Sequence, residues 1–145
     1  MLKIYYAHPN FTLEQQKQKV LILEAFEKIK ETNEIEIIDP FQINKDLDIK
    51  TQSEEIWENN IDAIEECDIV VADITYKDCG VCVEVGFATC NFTTIILIDL
   101  NEGQSTTNLM LSNAADSYIR NLNDFIECMV NENYSYKDLK GIIEE

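Results

Sequence analysis

Asp68-Ile69-Val70-Val71-Ala72-Asp73-Ile74 is a nearly unbroken apolar run closed by a carboxylate. Such a run suits a strand covered on both faces, and strands of that kind belong to parallel sheets flanked by helices. Thr93 to Leu100 is a second run of the same type. The segment between them, 80–92, is ambiguous by periodicity. Val81, Val83, Val85 and Phe87 alternate as a strand would, whereas Val81, Val85, Ala88 and Phe92 fit one helical face. Two parallel strands this close in sequence require a crossover, so 80–92 is predicted to be helical against the local propensity of its valines.

Working outward, Leu2 to Ala7 reads as a first strand, broken at His8-Pro9-Asn10. Thr12 with Gln15 is a capping-box pattern opening a helix, whose buried face is Ile22, Phe26 and Ile29. Glu34 to Asp39 reads as a second strand stopped by Pro40, followed by a polar connection from Gln42 to Lys50. Thr51 with Glu54 is another capping-box pattern, and Trp57, Ile61 and Ile64 are assigned to the core face of the helix it opens. Arg120 to Val130 and Tyr136 to Ile143 are expected to be helical, with a short strand around Ser117–Ile119. The pattern predicts a single α/β domain over residues 1–145: a flavodoxin-like or Rossmann-like three-layer fold with a mainly parallel five-stranded sheet. Such sheets bind ligands beyond the carboxyl ends of their strands. That directs attention to Tyr5–Phe11, Asp39–Gln42, Asp73–Asp78 and Asn101–Asn108. Asp68, at the opposite end of its strand, is read as structural.

Composition narrows the function. The 145 residues include 28 Asp plus Glu against 11 Lys plus Arg, a net charge of −17. A surface so acidic repels phosphate backbones and anionic lipid heads, so neither nucleic acid nor a membrane is an expected partner. The run Ile95–Ile98 falls far short of the roughly 20 residues that span a bilayer. The apolar run after Lys3 is too short for a signal peptide, which predicts a cytoplasmic protein. Only 4 Gly and 2 Pro argue against a many-turned all-β fold. The five cysteines lack framework spacing. Cys79-Gly80-Val81-Cys82 is a lone C-x-x-C and His8 the single histidine, too few ligands for a closed zinc site. No metal is expected, and the thiols are expected to be buried or partly buried.

The segment Asp78-Cys79-Gly80-Val81-Cys82-Val83-Glu84-Val85-Gly86-Phe87-Ala88 carries the chemistry. Asp78 follows the central strand and Glu84 lies on the helix after it. A carboxylate set among Val83, Val85 and Phe87 is either a held nucleophile or acid, or an exposed helix residue behind an Asp78 cap. Spacing alone leaves both readings open. A dinucleotide fingerprint is absent, because Gly80 and Gly86 do not make G-x-G-x-x-G.

Asp78, Gly80, Glu84, Gly86 and Ala88, the first strand Lys3-Ile4-Tyr5-Tyr6 followed by Phe11-Thr12, Asp62 before the central strand, and Asn108-Leu109-Met110 stand in one order. In that order they resemble the nucleoside 2-deoxyribosyltransferase family, from about residue 3 to residue 119. The resemblance implies that Glu84 is the nucleophile attacking C1′ of a 2′-deoxynucleoside, and that Tyr5 orients it. It implies that Asp78 and Asp62 bind the base and manage its proton. Asn108 would reach the sugar hydroxyl end from a neighbouring subunit, and Gln42 corresponds to a base-pocket glutamine. His8, Phe11 and Gly80 are further substrate-side candidates at the strand ends. The implied activity needs no metal or organic cofactor, takes nucleosides and free bases, and belongs to a homo-oligomer, dimer-based or hexameric, with a shared site.

Two alternatives accompany it. The related 2′-deoxynucleoside 5′-phosphate N-hydrolases share the nucleophile, and the length from Val70 to Ala88 matches theirs. They carry a Gly- and Arg-rich phosphate loop after the first strand, however, and Ala7-His8-Pro9-Asn10-Phe11 has neither residue. They also tend to have Ser at the position of Asp78, whose charge opposes a 5′-phosphate. The further alternative is a non-catalytic nucleotide-binding module. A phospho-receiver reading fails for want of a Lys after the Thr93–Leu100 run.

Overall fold

The computed structural model describes residues 1–101, 106–139 and 142–144. The central run forms β3 (Ile69–Asp73), every residue of it buried. Beside it lie β1 (Leu2–Ala7), β2 (Ile35–Ile38), β4 (Thr94–Ile98) and β6 (Ser117–Ile119). The order is β2-β1-β3-β4-β6, and each pairing is parallel. This is the flavodoxin-like, three-layer fold expected from the sequence.

Helix α1 (Leu13–Lys30) opens on the Thr12–Gln15 capping box, and Ile22, Phe26 and Ile29 are buried as predicted. It packs with α6 (Leu122–Val130) on one face of the sheet, around Ile4, Tyr6, Val71, Ile96 and Phe125. The other face carries α3 (Ser53–Glu66), α4 (Cys79–Cys90) and α5 (Leu109–Ala114), around Tyr5, Val70, Val85 and Leu97. The ambiguous segment is thus the helical crossover α4. Its buried residues, Val81, Val85 and Ala88, are those of the helical reading.

Several local expectations are corrected. Pro40 does not merely stop β2; it is the first residue of a short helix, α2 (Pro40–Ile43), capped by Asp39. Helix α3 has Gln52 as its N-cap and no side-chain cap bond, so the Thr51–Glu54 box does not form. Instead Asp48 and Gln52 tie the preceding loop, with Lys50 N donating to Asp48 Oδ1 and Asp48 N to Gln52 Oε1. Trp57 is 54% exposed rather than core. Tyr136–Ile143 is not helical where described: Lys137 makes a parallel bridge to Tyr118, and β7 (Ile142–Glu144) pairs with β5 (Thr106–Asn108). Residues 102–105, within the Asn101–Asn108 candidate stretch, lie outside the described residues, as do 140 and 141. Cys67 and Cys128 are buried and Cys82 is partly so, but Cys79 and Cys90 are exposed. Among the described residues no helix is long and apolar enough to cross a membrane.

Helix α1 leaves β1 on one face and α3 returns to β3 on the other. The chain therefore diverges between β1 and β3, which opens a crevice beyond their carboxyl ends. Asp68, at the far end of β3, accepts from Lys3 N at 2.8 Å and is structural, as read from the sequence.

Candidate active site

The crevice is a cleft of about 330 Å³. It is lined by His8, just past the end of β1, and by the start of α4. After β3 the chain turns through Lys77, whose φ of 51° lies in the left-handed region that a side chain enters at some cost. The turn brings Asp78 back to cap α4, its Oδ2 accepting from Val81 N at 3.1 Å. The Asp78 carboxylate thereby fills one of the donors left open at a helix start. Gly80 gives that cap room, since a Cβ there would stand 3.1 Å from Asp78 Oδ2 and press on it.

Val81, Val85 and Ala88 anchor α4 on the sheet, and the helix then aims Glu84 at β1. The hydroxyl of Tyr5, itself fully buried, donates a hydrogen bond to Glu84 Oε2. Burial pushes the Glu84 carboxyl up to about 7; the Tyr5 bond opposes that rise and the neighbouring Asp78 charge adds to it. Burial, together with the adjacent Glu84 charge, raises the Tyr5 phenol well above its ordinary range, so it acts as a donor.

His8, Phe11 and Phe41 line the cleft, as do Asn44, Lys45 and Asn60. His8 is held from behind: its Nε2 lies 3.0 Å from Asp39 Oδ1 and its ring stacks on Tyr6 at 4.1 Å. Lys19 Nζ sits 2.9 Å from the other Asp39 oxygen. Burial alone would raise the Asp39 carboxyl, but the bonds from His8 and Lys19 bring it down to about 2. Asp73, which closes β3, braces the loop rather than lining the cleft. It accepts from Thr75 N at 3.1 Å and from Gln18 Nε2 at 2.7 Å.

The structure thus brings together Glu84, Asp78, Gly80, His8 and Phe11 in one cleft, with Tyr5 bonded beneath. Three residues named from the sequence are not brought there. Asp62 is exposed on α3, whose cleft-facing positions are Ile56 and Asn60. Gln42 is exposed on α2, and Asn44 takes the wall position instead. Asn108 caps α5, accepting from Leu111 N at 2.9 Å, and lines a separate apolar groove across α4 with Val85, Gly86 and Leu111. Asn44 and Asn60 were not legible in advance. They meet through the fold, 16 positions apart, and no local spacing marks them.

Residues 4–110 match the sequence profile of the family described as nucleoside 2-deoxyribosyltransferase. An uncharacterized protein of Ureaplasma parvum serovar 3 is 30% identical over 92 residues, 59% of this chain and 58% of its own. The match thus spans little more than half of that curated relative's length. A 2-deoxyribosyltransferase from Bacillus psychrosaccharolyticus superposes with a TM-score of 0.72 at 22% identity, covering 86% of this chain and 90% of that one. A CMP N-glycosidase from Clostridium botulinum superposes with a TM-score of 0.58 at 18% identity, covering 86% and 95%. At these identities the two superpositions show a shared fold.

Proposed function

The chain belongs to the nucleoside 2-deoxyribosyltransferase family, and from that premise we propose that it moves 2-deoxyribose between purine or pyrimidine bases through a glycosyl adduct on Glu84. The observation that carries this reading is the Tyr5–Glu84 pair. A partly buried carboxylate, fixed through one oxygen by a buried phenol, stands at the foot of a cleft. The cleft's volume falls within the range of roughly 300–1,000 Å³ usual for small-molecule sites.

In this scheme the free oxygen of Glu84 bonds to C1′ as the C1′–N bond breaks. The bonding electron pair leaves with the base, which takes a proton. That proton comes from solvent and is passed on through Asp78, whose Oδ1 the helix cap leaves free. An oxocarbenium-like transition state is stabilised by the adjacent carboxylate, and lack of a 2′-hydroxyl eases its formation. A second base then attacks C1′, Glu84 leaves as carboxylate, and two inversions retain the configuration. The scheme uses no metal or organic cofactor. The whole of 1–145 is read as one such domain, acting on nucleosides and free bases in salvage. With Asn108 across α4 from the cleft, its role toward the sugar requires a second copy, so the active unit is an oligomer.

A second reading is hydrolysis of a 2′-deoxynucleoside or its 5′-monophosphate, with water as the second nucleophile. Lys45 favours it: among the described residues no carboxylate pairs with this cation in the cleft wall. The two readings separate in a base-exchange assay with thymidine or deoxyinosine as donor and adenine as acceptor. Deoxyadenosine formed by the intact protein and not by Glu84→Ala supports transfer. Free base without exchange product supports hydrolysis. No turnover of nucleosides or nucleotides leaves a binding module and ends the enzyme reading.

A further inference from the structure

One wall of the cleft is a chain of three amides whose orientation is fixed from behind. The carbonyl of Pro40 can only accept a hydrogen bond, so the Asn44 atom 2.8 Å from it is Nδ2. The same Nδ2 lies 2.8 Å from Asn60 Oδ1 and donates its second hydrogen there. Asn59 Nδ2 closes the set, donating to Asn44 Oδ1 at 3.0 Å. Asn60 therefore has its oxygen turned into the wall, and among the described residues nothing accepts from its Nδ2. Reversing the Asn60 amide would set two donors against each other. Reversing Asn44 as well would lose the Pro40 bond and oppose two oxygens.

We propose that Asn60 is a specificity-determining residue that offers a fixed N–H donor to the base. The cleft then favours bases bearing a keto oxygen at that edge (hypoxanthine, uracil, thymine) over their amino counterparts adenine and cytosine. An amino group brought to the half-buried Asn60 amide faces a donor held by its bond to Asn44, and two donors desolvated against each other are what makes such discrimination strong. This rests on the cleft being the nucleoside site proposed above. It does not depend on whether the acceptor is a base or water.

Binding is read without turnover on the Glu84→Gln protein, by calorimetry with deoxyinosine against deoxyadenosine and deoxyuridine against deoxycytidine. The keto member of each pair is expected to bind about tenfold tighter, one hydrogen bond's worth of discrimination. Asn60→Asp keeps an oxygen for Asn44 and turns the cleft end into an acceptor, so the preference inverts toward the amino bases. Asn60→Leu brings each ratio close to unity. Ratios near unity with Asn60 intact, ratios unchanged by both substitutions, or no binding of any of the four overturn the proposal. Base exchange by the intact protein is followed separately. Keto preference without exchange leaves this inference standing and removes the transferase reading, and exchange without keto preference does the reverse.

Discussion

At the scale of single residues, the site turns on where one proton sits. In the proposed reaction Glu84 must be ionised to attack, yet burial holds its carboxyl near 7. The kcat/KM of the free enzyme is therefore expected to rise with pH through about 7 and level off above it. Tyr5→Phe removes a bond that favours the carboxylate, so the rising limb moves to higher pH. A limb that stays in place would mean that the Tyr5 hydroxyl does not stabilise the charge. Stability runs the opposite way. The folded state holds this proton more tightly than the unfolded chain does, so the contribution is complete below the ordinary 4.5 and is lost as pH rises through about 7. Glu84→Gln, which keeps the neutral form and can still accept from Tyr5, is expected to be more stable than the parent above pH 7. The gain is on the order of 2 kcal/mol and vanishes under acid conditions. Thermal melts at the two ends of this pH range read it directly. Asp39 behaves in reverse: its carboxyl is depressed to about 2, so its contribution is lost only in acid.

At the scale of elements, the site depends on the first turn of α4, and two glycines on that helix separate catalysis from folding. A Cβ at Gly80 would press on Asp78 Oδ2, whereas one at Gly86 meets nothing within 4 Å. Gly80→Ala is expected to reduce kcat/KM by roughly ten- to a hundredfold with little change in Tm, because a carboxylate displaced by a fraction of an ångström loses its alignment. Gly86→Ala is expected to stabilise the fold by about 1 kcal/mol, as alanine does in a helix interior. Equal loss of activity in both would show that the Asp78 cap is not the sensitive point. Much of this element was legible in the sequence. Asp78, Gly80 and Glu84 are local on one helix, and the need for a crossover settled a periodicity that propensity left open. What was misread lies where tertiary context decides. Of Trp57, Ile61 and Ile64, which share a spacing, Ile64 is core as expected but Trp57 is exposed, and the positions of α3 turned to the cleft are Ile56 and Asn60. Asp62 therefore falls on the solvent side. The expected helix at Tyr136–Ile143 gives way to pairing with Tyr118 and β5, partners distant in sequence.

At the scale of the whole molecule, charge opposes the assembly that the proposed role of Asn108 calls for. Asn108 lies in the apolar groove between α4 and α5, outside its own cleft, so it can meet a sugar only in a second copy's site. Each copy carries a net charge of −17, and two such bodies repel until salt screens them. Raising salt from about 20 mM to about 300 mM shortens the screening length from roughly 20 Å to roughly 6 Å, less than the width of a helix with its side chains. Apolar contact across the groove is little affected by salt over that range, so the balance shifts toward association. Sedimentation is expected to show larger species at the higher salt and monomers on dilution at the lower. If Asn108 serves the sugar end of a second copy's site, as proposed, activity per chain should follow the assembled fraction. Asn108→Ala is expected to lower activity in the assembled protein without moving the salt dependence of association. A monomer that keeps full activity per chain throughout would place Asn108 outside the reaction, and the cleft of one chain would then be the whole site.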